Sequence, residues 1–217
     1  MSEPTPIRAL VNDALLKIER GERSPRSERE APPAAPIPVP LVPKRFTDVR
    51  LETYLAETET ERYALRSVKR WVDLVAQGEP PMLALVGPQG TGKSHLLYGA
   101  AWALHAAGCR CSCFSWYRLA DELRYGGASP YNGAPLEAHE FRSMLWRSKA
   151  ILLDEVRPTA GTSFDDTELA KLACHCYDSH LPVLLTTNVS PLADVLGPAA
   201  ASRYSQVVLT GRDRRQA

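Results

Sequence analysis

Apolar positions change their period several times along the chain. Near the start, Ile7, Leu10, Val11, Ala14, Leu15 and Ile18 follow the i, i+3, i+4, i+7 spacing of an amphipathic helix. Thr5 suits its N-cap, Pro6 its first helical position and Gly21 its end. The pattern then lapses. Residues 22–30 are charged and serine-rich, and six prolines between positions 31 and 43 favour an extended, polyproline-like spacer. So short a helix is marginal in water unless its apolar stripe meets a surface. That surface is either the chain's own folded domain or a partner protein, and the semi-stiff tether favours the partner. The expected division is a docking helix over 1–21, a linker over 22–43 and a folded domain over 44–217.

From residue 44 the pattern is that of a folded core. Residues 58–76 predict a helix, with Ala64, Leu65, Val68, Val72 and Val75 on one face. Pro80 and Pro81 break the chain before an apolar strand over 82–86. Further helices are expected over 95–107, 118–125, 136–146 and 166–180, and one over 192–201 interrupted at Gly197-Pro198. Further strands are expected over 110–116, 150–153, 182–186 and 207–210, with a loop from Gly126 to Gly133. Strands alternating with helices predict βαβ units: an α/β fold with a parallel five-stranded sheet covered on both faces.

The chemistry is concentrated where strands end. Gly87, Pro88, Gln89, Gly90, Thr91, Gly92, Lys93 and Ser94 satisfy the Walker A pattern at every fixed position, between an apolar strand and a helix. Its glycines let backbone N–H groups wrap phosphates, and the helix N-terminus adds positive partial charge. ATP is the expected ligand, with Lys93 reaching its β- and γ-phosphates, Ser94 ligating magnesium and His95 beside them. Residues 150–153 form a buried strand carrying Asp154 and Glu155 at its carboxyl end, where ligands gather in parallel sheets. Asp154 suits the magnesium and Glu155 the attacking water. Asn188, after the strand over 182–186, can hydrogen-bond the γ-phosphate without adding charge, although Thr-Thr-Asn alone is also a turn sequence. Arg203 and the closing run from Arg212 to Arg215 are candidates for stabilising the transferring phosphoryl group. A solvated basic tail is the plainer reading of that run.

Composition narrows the picture. A net charge of +1 announces no bulk polyanion binder, so any basic surface is local. No run is long and apolar enough for a membrane span, and no secretory signal is visible, which makes the cytoplasm the expected compartment. The five cysteines fall in two clusters, Cys109/Cys111/Cys113 and Cys174/Cys176. Their spacing is not that of a zinc motif, and structural thiols are the expected reading.

These pieces, in this order, resemble the AAA+ family of DnaC-type replicative helicase loaders and their IstB-type transposition relatives. The resemblance runs from Lys44 to the C-terminus, beginning with Arg45-Phe46 and continuing to Glu52 and Tyr54. It implies an ATPase, with Asn188 as sensor I, Arg203 reaching the ATP of a neighbouring subunit and Arg215 as sensor II, on a domain with little or no helical lid. Ser202 stands where many loaders carry aspartate. It further implies self-association into a ring or spiral with ATP between subunits. The implied partners are a DnaB-like replicative helicase, gripped by the N-terminal helix, and single-stranded DNA. Loader relatives hold DNA with helices after the second strand, where this chain has Tyr117, Arg118, Arg124, Tyr125 and Arg142. Packing tyrosines and solvated arginines account for the same residues equally well. The alternative function is an IstB-like helper ATPase that assembles on double-stranded DNA and recruits a transposase. A P-loop small-molecule kinase fits less well, given Glu155 after Asp154 and the sensor-like Asn188.

Overall fold

The computed structural model of the chain describes residues 42–128, 133–157 and 163–213, with side chains from residue 167 onward in the last segment. The expected docking helix and nearly all of the linker lie outside these residues.

Two single-turn 3-10 helices, Lys44–Phe46 and Leu51–Thr53, lead into α1 (Glu59–Ala76). Thr58 caps α1 by accepting from the Glu61 N–H, and Glu61 accepts in return from the Thr58 and Glu57 amides. This reciprocal cap satisfies amides that the helix itself leaves unpaired. Then follow β1 (Met82–Val86), α2 (Lys93–Ala106), β2 (Cys111–Ser115) and α3 (Trp116–Tyr125). A two-residue antiparallel ribbon, β3 (Gly127–Ala128) with β4 (Pro135–Leu136), precedes α4 (Ala138–Trp146). The chain continues through β5 (Ala150–Asp154), α5 (Ser163–Asp178) and β6 (Val183–Thr187). Two short helices, α6 (Ala193–Leu196) and α7 (Pro198–Ala201), lead to β7 (Ser205–Val208).

The main sheet has the order β2-β5-β6-β1-β7, and every pairing is parallel. The expected α/β architecture with five parallel strands is therefore present. Side chains alternate across it as the period of two requires. Met82, Ala84 and Val86 of β1 face a core built from α3, α4, α5 and the α6–α7 pair. Leu83 and Leu85 face a second core under α1 and α2. Burying each large apolar side chain in these layers contributes about 1.5–3 kcal/mol. Register sets the carboxyl ends of the strands side by side: Val86 pairs with Thr187, and Ser115 with Asp154.

The small differences from expectation have local causes. α2 starts at Lys93 rather than residue 95 because Gly92, at φ +86°, serves as its N-cap. α3 starts at Trp116, whose apolar ring extends the strand pattern of β2 in sequence but is buried from a helix. The β3–β4 ribbon falls in a Gly/Pro-rich loop where no periodicity develops. Among the described residues, no helix follows β7, and none is long and apolar enough to cross a membrane.

Candidate nucleotide site

β1 delivers the chain to the 87–92 loop, and α2 begins immediately after it, so the unpaired N–H groups of its first turn adjoin the loop. Two glycines are held there by sterics. Gly92 carries φ +86°, and a Cβ on it would lie 2.7 Å from the Tyr54 ring. Gly90, at φ +78°, has the Asp213 carboxylate packed where a Cβ would stand. Lys93 is 6% exposed, and its Nζ donates to the Gly87 carbonyl at 2.7 Å and the Pro88 carbonyl at 2.6 Å. Thr91 Oγ1 also donates to the Pro88 carbonyl, at 3.0 Å.

Across the loop stands the end of β5. Ser94 Oγ donates to Asp154 Oδ1 at 2.9 Å, and Thr186 Oγ1 donates to the same oxygen at 2.7 Å. Tyr98, one turn after Ser94 on α2, lies beside the Asp154 carboxylate. Burial first, and the neighbouring carboxylate second, push its phenol far above the usual tyrosine range. Glu155 adopts φ +57°, left-handed backbone that a side chain with a Cβ rarely takes. Its N–H donates to Thr186 Oγ1 at 3.0 Å.

These groups open onto a cleft of about 330 Å³. Gln89, Gly90, Gly92, Lys93, Ser94 and His95 line one side, and Glu155, Thr186 and Asn188 another. Arg45 and Phe46 complete the wall. Phe46 stacks on Tyr98 with ring centroids 4.5 Å apart, a contact between residues more than fifty positions apart in the chain. Sequence reasoning placed Arg45 and Phe46 in the opening of a family resemblance but not at the cleft, and it gave Thr186 no role. His95 reaches the Arg50 carbonyl at 3.1 Å and lies edge-on to Tyr54.

The donor set suits magnesium. A hard divalent cation takes oxygen ligands, and Ser94 Oγ and an Asp154 oxygen already converge beside the loop that would hold the phosphates.

The remaining candidates lie elsewhere. Arg203 follows α7 and is not among the residues lining the cleft. Its guanidinium stacks 4.1 Å from the Tyr177 ring, and its buried Nη1 has no hydrogen-bond partner among the described residues. Arg215 and the six apolar positions of the N-terminal helix fall outside the described residues. Tyr117 and Tyr125 are 47% and 74% exposed on α3, whose Trp116, Leu119, Ala120 and Leu123 face the core. Arg118 is bonded to Glu122 at 2.6 Å, and Arg124 lies 5.7 Å from the Tyr125 ring. Arg142 on α4 donates to buried Glu168 at 2.8 Å. Arg157, which sequence reasoning had not singled out, lies 4.9 Å over the Tyr117 ring. Cys111 and Cys113 face the core beneath α2, Cys176 is buried on the other side of the sheet, and Cys174 is exposed. Burial pushes the Cys176 thiol up to about 12. Among the described residues, no three His, Cys, Asp or Glu side chains are grouped to hold a metal ion.

No protein-family model matches the chain, and no curated protein does. Solved structures do. A DnaC helicase loader matches with a TM-score of 0.66 and 21% identity, over 77% of this chain and 100% of that one. A DnaI structure matches with a TM-score of 0.62 and 19% identity, over 83% and 97%. A replication initiator DnaA bound to AMPPCP and single-stranded DNA matches with a TM-score of 0.58 and 21% identity, over 80% of this chain and 53% of that one. The chain thus spans about half of that DnaA and essentially all of the DnaC and DnaI structures. At these identities the likeness is one of fold: a five-stranded parallel sheet flanked by helices, with the Walker A octet in the loop after β1, shared with the DnaC and DnaI structures.

Proposed function

We propose that the chain is an ATPase of DNA replication that acts as a helicase loader, binding a DnaB-like helicase and single-stranded DNA under ATP control. The observation that carries the ATPase part is the meeting of Ser94 and Asp154 beside a complete Walker A loop, with Glu155 and Asn188 on the same cleft. The loader part is supported by a match that covers the whole of a DnaC structure.

Each side chain then has a task. Lys93, now bonded to the Gly87 and Pro88 carbonyls, turns to the β- and γ-phosphates. Amides of the 87–92 loop and of the first turn of α2 take the remaining phosphate oxygens. Ser94 and Asp154 hold magnesium, which when bound neutralises charge on the phosphates. Glu155 polarises the attacking water, and Asn188 orients the γ-phosphate. Arg203 serves the ATP of an adjoining subunit in a ring or spiral. Tyr117 and Tyr125 stack on bases, and the helix over 1–21 grips the helicase.

The test is co-purification with the host's replicative helicase, in ATP and magnesium, of the full chain and of a chain starting at Lys44. Capture by the full chain alone is the expected result. If neither chain is captured and ATP-dependent filaments form on duplex DNA, the transposition helper replaces the loader.

A further inference from the structure

Thr186 is 1% exposed, yet its hydroxyl is at the centre of the cleft's hydrogen bonds. A hydroxyl has one proton to donate and lone pairs to accept with. Here the proton goes to Asp154 Oδ1 at 2.7 Å, and a lone pair takes the Glu155 N–H at 3.0 Å. The Thr186 carbonyl accepts from the Val156 N–H at 2.8 Å, so one residue of β6 secures three consecutive residues after the body of β5. The middle one, Glu155, stands in a left-handed conformation that is unfavourable for a residue with a Cβ. Such strain persists only where neighbours over-determine it. The bond from its amide to Thr186 opposes relaxation to an extended backbone, which would re-aim the Glu155 side chain.

We propose that Thr186 is a positioning residue that fixes Asp154 and Glu155 relative to each other, so that the magnesium-holding carboxylate and the water-polarising carboxylate stay aimed into one cleft. The inference rests on the ATPase reading. Burial alone does not account for this geometry: a buried threonine in a strand is satisfied by a single carbonyl, whereas this one bridges two adjacent acids of different function. Valine keeps the shape and β-branching of threonine and removes both hydrogen bonds; serine keeps the hydroxyl. Partners of metal-holding side chains typically matter by 10–100-fold in metal affinity or activity.

The experiment uses the full chain carrying Thr186→Val or Thr186→Ser, beside wild type. It reads steady-state ATPase kinetics, the magnesium dependence of binding to a fluorescent ATP analogue, and thermal melting. Thr186→Val is expected to lower kcat about 10–100-fold with KM changed less than about threefold. It should also raise the magnesium concentration for half-maximal analogue binding by about threefold or more. Thr186→Ser is expected to remain within about threefold of wild type in both. Wild-type turnover by Thr186→Val, or a Thr186→Ser chain as impaired as the valine variant, overturns the proposal. A valine variant that fails to fold while the serine variant folds makes the hydroxyl a stability element and overturns it as well. A wild-type chain that neither binds nor hydrolyses ATP instead overturns the ATPase reading, and this inference with it.

Discussion

The nucleotide cleft and the outer face of α3 and α4 use similar side chains in opposite arrangements. In the cleft, polar groups from three elements converge: Ser94 of α2 and Thr186 of β6 share one oxygen of Asp154 at the end of β5. On the α3–α4 face, the groups are engaged in separate pairs, Arg118 with Glu122, Arg142 with Glu168 and Arg157 with Tyr117. Convergence organises a site for a small, highly charged ligand before it arrives. Separate pairs leave a surface that must exchange its partners to take a polyanion, at a cost set by how far each acid is buried: the Glu122 side chain is 12% exposed and that of Glu168 5%. The difference separates two kinds of candidate residue: those whose neighbours already dictate a geometry, and those with only suitable chemistry and exposure.

The comparison is tested most severely in the cleft. Lys93→Ala removes two charge-assisted phosphate contacts at about 1.5–3 kcal/mol each, an expected loss on the order of 10²–10⁴ in ATP affinity. Glu155→Gln should bind ATP normally and turn it over about 10²–10⁴-fold more slowly, as a lost general base does. Equilibrium binding and single-turnover hydrolysis separate the two; a glutamine variant that hydrolyses at the wild-type rate removes Glu155 from the mechanism.

On the other face, Tyr117→Ala and Tyr125→Ala should each weaken single-stranded DNA binding by about 1–3 kcal/mol if the rings stack on bases. ATP binding without DNA should not change. Fluorescence anisotropy with a labelled oligonucleotide reads this directly. Unchanged DNA affinity in the double variant makes both tyrosines surface residues.

The smallest expected effect on nucleotide or DNA binding concerns Arg142. Burial raises the pKa of Glu168, but hydrogen bonds from Lys171 and Arg142 outweigh it and hold the carboxyl below its ordinary value. A depressed folded-state pKa contributes stability that is complete above the unfolded value, about 4.3, and is lost as pH falls through the lower folded value. Arg142→Ala should therefore cost about 1–3 kcal/mol near neutrality, and the gap from wild type should narrow as pH falls and Glu168 becomes protonated in both. Urea melts at pH 7 and in the acid range check it. A DNA-affinity loss greater than the stability loss would return Arg142 to the DNA-contacting group.

Legibility in the sequence followed the same division. The strand over 82–86 and the octet after it were readable because each rests on short-range pattern: an unbroken apolar run, then fixed glycine spacing. That the five strands run parallel followed from alternation alone, whereas their order in the sheet did not. Phe46 at the cleft was not readable, because its place depends on stacking against Tyr98 across more than fifty residues. Thr186 looked like a strand-end threonine, since its partners Asp154 and Glu155 lie about thirty positions earlier and meet it only through the pairing of β5 with β6. The pairing of Arg142 with Glu168 was equally hidden, because it joins α4 to α5.

The contact between Gly90 and Asp213 has a practical side. The loop intended for phosphates and the segment leaving β7 touch so closely that Gly90 has no room for a methyl group. A load applied to the C-terminus, such as a fused fluorescent protein, a purification handle or attachment to a sensor chip, is transmitted within a few residues to the nucleotide loop. Handles for binding measurements therefore belong away from the segment that follows β7.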